Sequence, residues 1–207
     1  MKSVLVLYHS RSGHTARVAR RIWETVIAEG NQADMMSVME ADREGVQWDK
    51  YDLFIVGCPV LYGTYPKVFY SFLAKHKNEL DAKPHSVVAR TPIKATPEGN
   101  RYMQKFLQNS PWKPRDVKCI AGKVDYPNWG WLDAKMIQLI MKMTKGPTSM
   151  DAVIDYTDWE DVKSYARHCL TLTFLSQDAK SPKVAPLRAT SFVYNNSLCI
   201  RKQDLQQ

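Results

Sequence analysis

The chain has 207 residues, 44% of them hydrophobic, with 29 Lys and Arg against 21 Asp and Glu and a formal net charge of +8. That length suits one decorated α/β domain, and no run approaches the ~20 apolar residues of a membrane-crossing helix. No secretory leader is expected, and Cys58, Cys119, Cys169 and Cys199 show neither a C-x-x-C pair nor a disulfide framework, so the expected setting is reducing and cytoplasmic.

The first element is the apolar run Val4-Leu5-Val6-Leu7-Tyr8, a strand. Ser10-Arg11-Ser12-Gly13-His14-Thr15 follows, and then residues 16–29, where Val18, Ile22, Val26 and Ile27 recur at helical spacing. Strand, hydroxyl-rich turn and helix together suit a phosphate. Backbone N–H groups point inward, the hydroxyls of Ser10, Ser12 and Thr15 add donors, and the helix N-terminus favours negative charge. Gly13 lets the backbone turn sharply. A capped helix after a strand is the bland alternative. The turn has no Lys and no G-x-G-x-x-G, which excludes the ATP-type loop and the dinucleotide fingerprint. It resembles the flavodoxin phosphate loop, T/S-x-T/S-G-x-T, which holds the monophosphate of FMN. His9 and His14 flank the turn and are expected as loop histidines contacting solvent. The five histidines stand at no ligand spacing with Cys or carboxylates, so no metal is expected.

Gly30-Asn31 ends the helix, and residues 32–38 form a second strand. A polar connection containing Trp48-Asp49-Lys50-Tyr51-Asp52 leads to Leu53-Phe54-Ile55-Val56-Gly57, a buried parallel strand. Its carboxyl end continues as Cys58-Pro59-Val60-Leu61-Tyr62-Gly63-Thr64-Tyr65-Pro66. Ligands of open α/β sheets bind beyond such ends, so Pro59, Val60, Leu61, Tyr62 and Gly63 are candidate contacts. Tyr62 and Tyr65 are candidates for stacking on a flat ring. A Pro-punctuated loop whose tyrosines cap the core is the alternative.

Residues 67–77 form a helix with Val68, Phe69, Phe72 and Leu73 inward, and 86–89 a short strand. A polar loop, 90–100, starts with Arg90. Residues 101–109 form a helix with Met103, Phe106 and Leu107 inward, 117–124 the last strand, and 158–175 the closing helix. The alternation implies a doubly wound parallel sheet of five strands with helices on both faces.

An insertion of about 125–155 interrupts that plan. Trp129, Leu132, Met136, Leu139, Ile140 and Met143 follow spacings of three and four, beside Trp131, Lys135, Lys142 and Lys145. Two readings stand: an amphipathic surface for a membrane or an apolar ligand, and an ordinary core helix. The basic charge favours an anionic partner, and no nucleic-acid motif accompanies it. Lipid headgroups and carboxylated substrates remain. Residues 3–175 are expected to form the domain, and 176–207 a flexible tail.

Several motifs are specific together: Phe106-Leu107-Gln108-Asn109-Ser110-Pro111-Trp112-Lys113-Pro114, Ile120-Ala121-Gly122, Tyr126-Pro127, Met136-Ile137-Gln138-Leu139-Ile140-Met141-Lys142-Met143 and Tyr156-Thr157-Asp158-Trp159-Glu160. They closely resemble the flavodoxin-type, menaquinone-dependent protoporphyrinogen IX dehydrogenases. Ser10–Thr15 and Tyr62-Gly63 fall at that family's phosphate turn and first flavin loop. The resemblance implies a flavodoxin-like fold, FMN bound at residues 10–15, 59–63 and Arg90, and oxidation of protoporphyrinogen IX to protoporphyrin IX. It also implies a membrane quinone as acceptor and peripheral attachment to the inner face of a membrane. Trp129, Trp131, Lys135, Met136, Ile140, Lys142 and Met143 would form the substrate or membrane surface. No Ser/His/Asp or Cys/His nucleophile set is apparent, which suits chemistry carried by a cofactor. The alternatives are a flavodoxin-like electron carrier and an FMN-free scaffold of the same fold.

Overall fold

A computed structural model of the chain describes residues 1–61, 63–91, 99–143 and 147–172, without the side chains of Thr91, Asp133, Ile140 and Met143. Tyr62 and the expected tail at 176–207 therefore lie outside the described residues. Ser3–Tyr8 (β1), Gln32–Ser37 (β2), Leu53–Pro59 (β3), His85–Thr91 (β4) and Asp116–Ala121 (β5) form one sheet in the order β2-β1-β3-β4-β5. Every pair in it is parallel. The helices, in chain order, are His14–Ala28 (α1), Val38–Glu44 (α2), Lys67–Lys75 (α3), Lys77–Asp81 (α4), Arg101–Asn109 (α5), Trp131–Met143 (α6) and Trp159–Thr171 (α7). This is the doubly wound, flavodoxin-like arrangement the alternation implies.

Two-residue alternation divides the core. Leu5, Leu7, Phe54 and Val56 face one layer with Phe69, Phe72, Met103 and Phe106 of α3 and α5. Val4, Val6, Leu53 and Ile55 face the other, with Val18, Ile22 and Val26 of α1 and Val162 and Tyr165 of α7. The strand order reverses at β1, whose neighbours are β2 and β3. The carboxyl ends of β1 and β3 therefore meet at the switch point, where such sheets bind ligands. His9 N–H donates to the Gly57 carbonyl at 2.9 Å, fixing the two ends side by side.

Several elements differ from the sequence expectation: the helix expected over 67–77 is divided into α3 and α4, and Val68, expected inward, is exposed. The polar connection after β2 contains α2, started by a capping box in which Ser37 and Glu40 exchange hydrogen bonds of 2.8 and 3.1 Å. β4 spans seven residues rather than four, adding polar His85, buried at its start, and Arg90 and Thr91, expected in the loop, at its end. The expected last strand, 117–124, is two strands. β5 stops at Ala121, and Lys123–Asp125 (β6) pairs antiparallel with Val153–Asp155 (β7) outside the main sheet. An apolar run does not specify which strand it pairs with.

That small hairpin is the base of the insertion. Its mini-core is Val124, Tyr126 and Ala134, with Trp129, Ile137 and Met141 packed against it. Tyr126 Oη donates to the Pro147 carbonyl at 2.9 Å, and Gln138 Nε2 to that of Thr148 at 2.7 Å, tying helix and return limb together.

Candidate functional site

The turn leaves β1 and enters α1 with Gly13 as N-cap at φ 79°, in the left-handed region that a side chain would strain. No carboxylate occupies the first turn of α1. Its leading N–H groups have no partner within the helix, since Arg17 N–H makes the first such bond, to the Gly13 carbonyl at 3.0 Å. Ser10 Oγ is buried without a hydrogen-bond partner. Arg11 and Ser12 are exposed at the mouth. Orphaned donors, a hydroxyl and no opposing carboxylate fit a phosphate monoester.

Beside the turn, the β3 loop contributes Val60, Leu61 and Gly63. Val60 N–H donates to the Arg90 carbonyl at 2.9 Å, and Leu61 and Thr64 exchange backbone bonds of 2.8 and 3.0 Å. Gly63 has φ 80° and lies close to Tyr102 of α5, whose Cε1 would be 3.5 Å from a Cβ there. Pro59 is buried within β3 and pairs in register with Arg90. Tyr65 corrects the stacking expectation. It is 3% exposed, with its ring centroid 4.8 Å from that of Phe106, so it belongs to the core.

Turn, loop and insertion enclose a cleft of about 300 Å³. Arg11, Ser12, Arg90 and Lys123 give it a cationic, polar side, while Val124, Trp129, Ile137 and Met141 give it an apolar wall. That volume and lining suit a small-molecule site. The Arg90 guanidinium lies across Gly122, where a Cβ would collide with Nη1 and sit 3.3 Å from Cγ and Cζ. Burial lowers the Arg90 pKa from its ordinary value, with the Cys58 thiol opposing. Lys123 Nζ pairs with Asp125 Oδ2 at 2.6 Å. Among the described residues lining the cleft there is no histidine or carboxylate.

His14 differs from its expectation as a solvent-facing loop residue. It is 4% exposed, and its Nε2 lies 2.8 Å from Thr157 Oγ1. Its ring meets Trp159 edge-on at 5.9 Å, and Nδ1 is buried without a hydrogen-bond partner. Burial first, then Arg90, push its pKa down to about 4, while Asp155 opposes. Proximity to α7 and β7, both distant in sequence, buries the ring. Thr15 is also buried, against Gly57 of β3.

The stripe expected on α6 divides between two faces. Ala134 is buried, and Ile137 and Met141 are half-buried toward the cleft together with Trp129. Trp131, Leu132, Met136 and Leu139 are exposed, at 71%, 72%, 49% and 61%, and Lys135 and Lys142 share that outer arc. The expected single stripe Trp129, Leu132, Met136 and Leu139 is thus corrected. A Met- and Leu-rich helix has apolar residues all round, so spacing alone did not identify the inner face. Ile140 and Met143 lie outside the described side chains. Tyr102, Lys123, Val124, Ile137 and Met141 line the cleft beyond the residues expected from the sequence; Tyr102 is brought there only by the packing of α5.

Fold, switch-point position and turn are those of a flavodoxin-like FMN protein. The flavodoxin domain family matches residues 5–151. The protoporphyrinogen IX dehydrogenase (quinone) of Escherichia coli K12 is 38% identical over 174 residues, covering 82% of this chain and 95% of that protein. A protein of the same name from Leishmania major is 31% identical over 168 residues, covering 78% of this chain and 72% of its own length. Among solved structures, oxidised Flavodoxin 1 from Bacillus cereus aligns at 14% identity with a TM-score of 0.47, covering 83% of this chain and 99% of that one. The chain belongs to the flavodoxin-domain family of quinone-dependent protoporphyrinogen IX dehydrogenases, and its cofactor is FMN.

Proposed function

We propose that the protein oxidises protoporphyrinogen IX to protoporphyrin IX in haem biosynthesis, removing six electrons and six protons and reducing three quinones to quinols. The observation that carries this reading is 38% identity extending through the insertion, which here walls the cleft beside the phosphate turn. FMN, when bound, supplies the two-electron acceptance that links substrate to quinone. The cleft has no described histidine or carboxylate, in keeping with a cofactor that carries the chemistry.

The backbone of residues 10–15, with the hydroxyls of Ser10 and Ser12, would hold the phosphate. Val60, Leu61, Tyr62 and Gly63 would border the ring. Arg90 and Arg11 would neutralise anionic groups, including substrate propionates. Trp129, Ile137 and Met141 would offer the macrocycle an apolar surface and exclude water. Residues 3–175 would constitute this unit, and 176–207 an appendage.

The outer arc of α6 is the proposed membrane contact. Leu132, Met136 and Leu139 would enter the interface, with Trp131, Lys135 and Lys142 at headgroup level. No helix among the described residues is long and apolar enough to cross a membrane, so attachment would be peripheral. Quinone-dependent formation of protoporphyrin by the FMN-loaded protein tests the reading. A carrier would bind FMN and form none, and a scaffold would show no flavin absorbance.

A further inference from the structure

The insertion is anchored at its base by a small set of hydrogen bonds. Tyr156 N–H donates to the Gly122 carbonyl at 3.1 Å, and Thr157 Oγ1 donates to the Ala121 carbonyl at 3.1 Å. Thr157 N–H donates to Asp155 Oδ1 at 3.0 Å. Thr157 thus joins the outgoing stem after β5 to the returning stem after β7. Since its hydroxyl proton is directed at Ala121, the Thr157 oxygen accepts from His14, and Nε2 is the protonated nitrogen of that ring. His14 directly follows Gly13, the left-handed residue that shapes the phosphate turn.

We propose that His14 is a positioning residue, a latch through which occupancy of the phosphate turn sets the placement of the insertion. A phosphate held by the N–H groups of residues 13–15 pins the start of α1. That pins the His14 ring, the ring pins Thr157, and Thr157 pins both stems. The stems carry β6 and the Trp129, Ile137 and Met141 wall, so the cleft closes to its working shape only over a filled turn. By linkage the effect is reciprocal: a latched insertion strengthens FMN binding by the factor by which FMN steadies the insertion. This rests on the FMN reading above. The latch is a property of this chain's own side chains, separate from the reaction.

Thr157→Val decides the matter, because it removes the hydroxyl 143 positions from the turn without touching the turn. FMN dissociation constants come from quenching of flavin fluorescence. The stem readout is amide hydrogen exchange of residues 121–125 and 153–157, with and without FMN. The expected result is FMN binding weaker by about five-fold or more in Thr157→Val, with FMN-dependent protection of the stems reduced by the same factor. Thr157→Ser, which keeps the hydroxyl, restores both to within about two-fold of the parent. A purely structural threonine would lower the melting temperature and leave the FMN-dependent protection intact; that outcome overturns the latch while leaving the FMN reading standing. Failure of the parent protein to bind FMN overturns both. If Thr157→Val does not fold, His14→Ala decides by the same paired readouts: stems protected by FMN as in the parent would refute the latch.

Discussion

The Arg90 guanidinium occupies the space beside Gly122 that a Cβ would need. Gly122 is the residue at which the chain leaves the main sheet, and Arg90 is the penultimate residue of the adjacent strand β4, paired with Ile120 two positions before Gly122. The absence of a side chain at Gly122 therefore permits a half-buried cation to reach the cleft. The Gly122→Ala variant should expel Arg90 toward solvent. A flexible side chain moves cheaply, so the melting temperature should change little. FMN or substrate affinity should fall by about ten-fold, the equivalent of ~1.4 kcal/mol and of one lost charge-assisted hydrogen bond. Arg90→Ala should reproduce that loss, and the double variant should add almost nothing. Additive losses would separate the two residues.

Gly13→Val places a β-branched residue at φ 79°, where no neighbouring atom obstructs a Cβ within 4 Å. Its cost is conformational, of order 1–3 kcal/mol of stability. The added methyl groups also stand where a phosphate would approach. The expected outcome is a folded protein, shown by far-UV circular dichroism, without the yellow absorbance of bound FMN. Stoichiometric FMN in that variant would exclude the turn as the phosphate site.

His14 is neutral in the fold because burial and Arg90 lower its pKa to about 4, against an ordinary value of 6.5. Below the ordinary value the unfolded chain takes up a proton that the folded chain refuses. Stability from this source is complete above about pH 6.5 and declines as pH falls toward 4. Urea midpoints measured from pH 7 to 4.5 should drop more steeply for the parent than for His14→Gln. Buried His85, whose pKa burial also lowers, contributes equally to both proteins and cancels in the difference.

Opposite faces of α6 should respond differently to the same change. Met136→Asp with Leu139→Asp alters the outer arc and should leave FMN content and melting temperature near those of the parent. It should abolish sedimentation with anionic phospholipid vesicles. Lys135 and Lys142 should each contribute about 1 kcal/mol to that binding, weakened by salt as the Debye length shortens from ~10 Å at 0.1 M. Ile137→Asp, on the inner face, should instead impair the cleft and raise KM. Unfolding of the outer double variant would make that arc structural and end the membrane proposal.

Much of the fold was legible in the residues. Val4-Leu5-Val6-Leu7 and Leu53-Phe54-Ile55-Val56 are continuous apolar runs that admit few assignments except buried parallel strands. The strand–turn–helix setting of Ser10–Thr15 and the tight turn at Gly13 were legible as well. The Ser37-Val38-Met39-Glu40 capping box was present in the sequence and would have revealed α2, but polar residues around it suggested a loop. What was not legible depends on contacts between distant segments. His14 meets Thr157, and Tyr65 meets Phe106, only once the sheet has assembled. The inner face of α6 is set by Val124 and Tyr126 on the hairpin beneath it, and apolar residues all round the helix concealed that choice.

A cleft between the phosphate turn and the insertion that oxidises a porphyrinogen at the expense of quinone should reveal itself in turnover. The most direct measurement is anaerobic turnover of protoporphyrinogen IX by the FMN-loaded protein with a quinone and anionic vesicles, following porphyrin fluorescence and quinol together. FMN-dependent protoporphyrin formation with three quinols per porphyrin, lost on removal of the flavin, is the expected result. Stoichiometric FMN with no porphyrin formed under those conditions would contradict it.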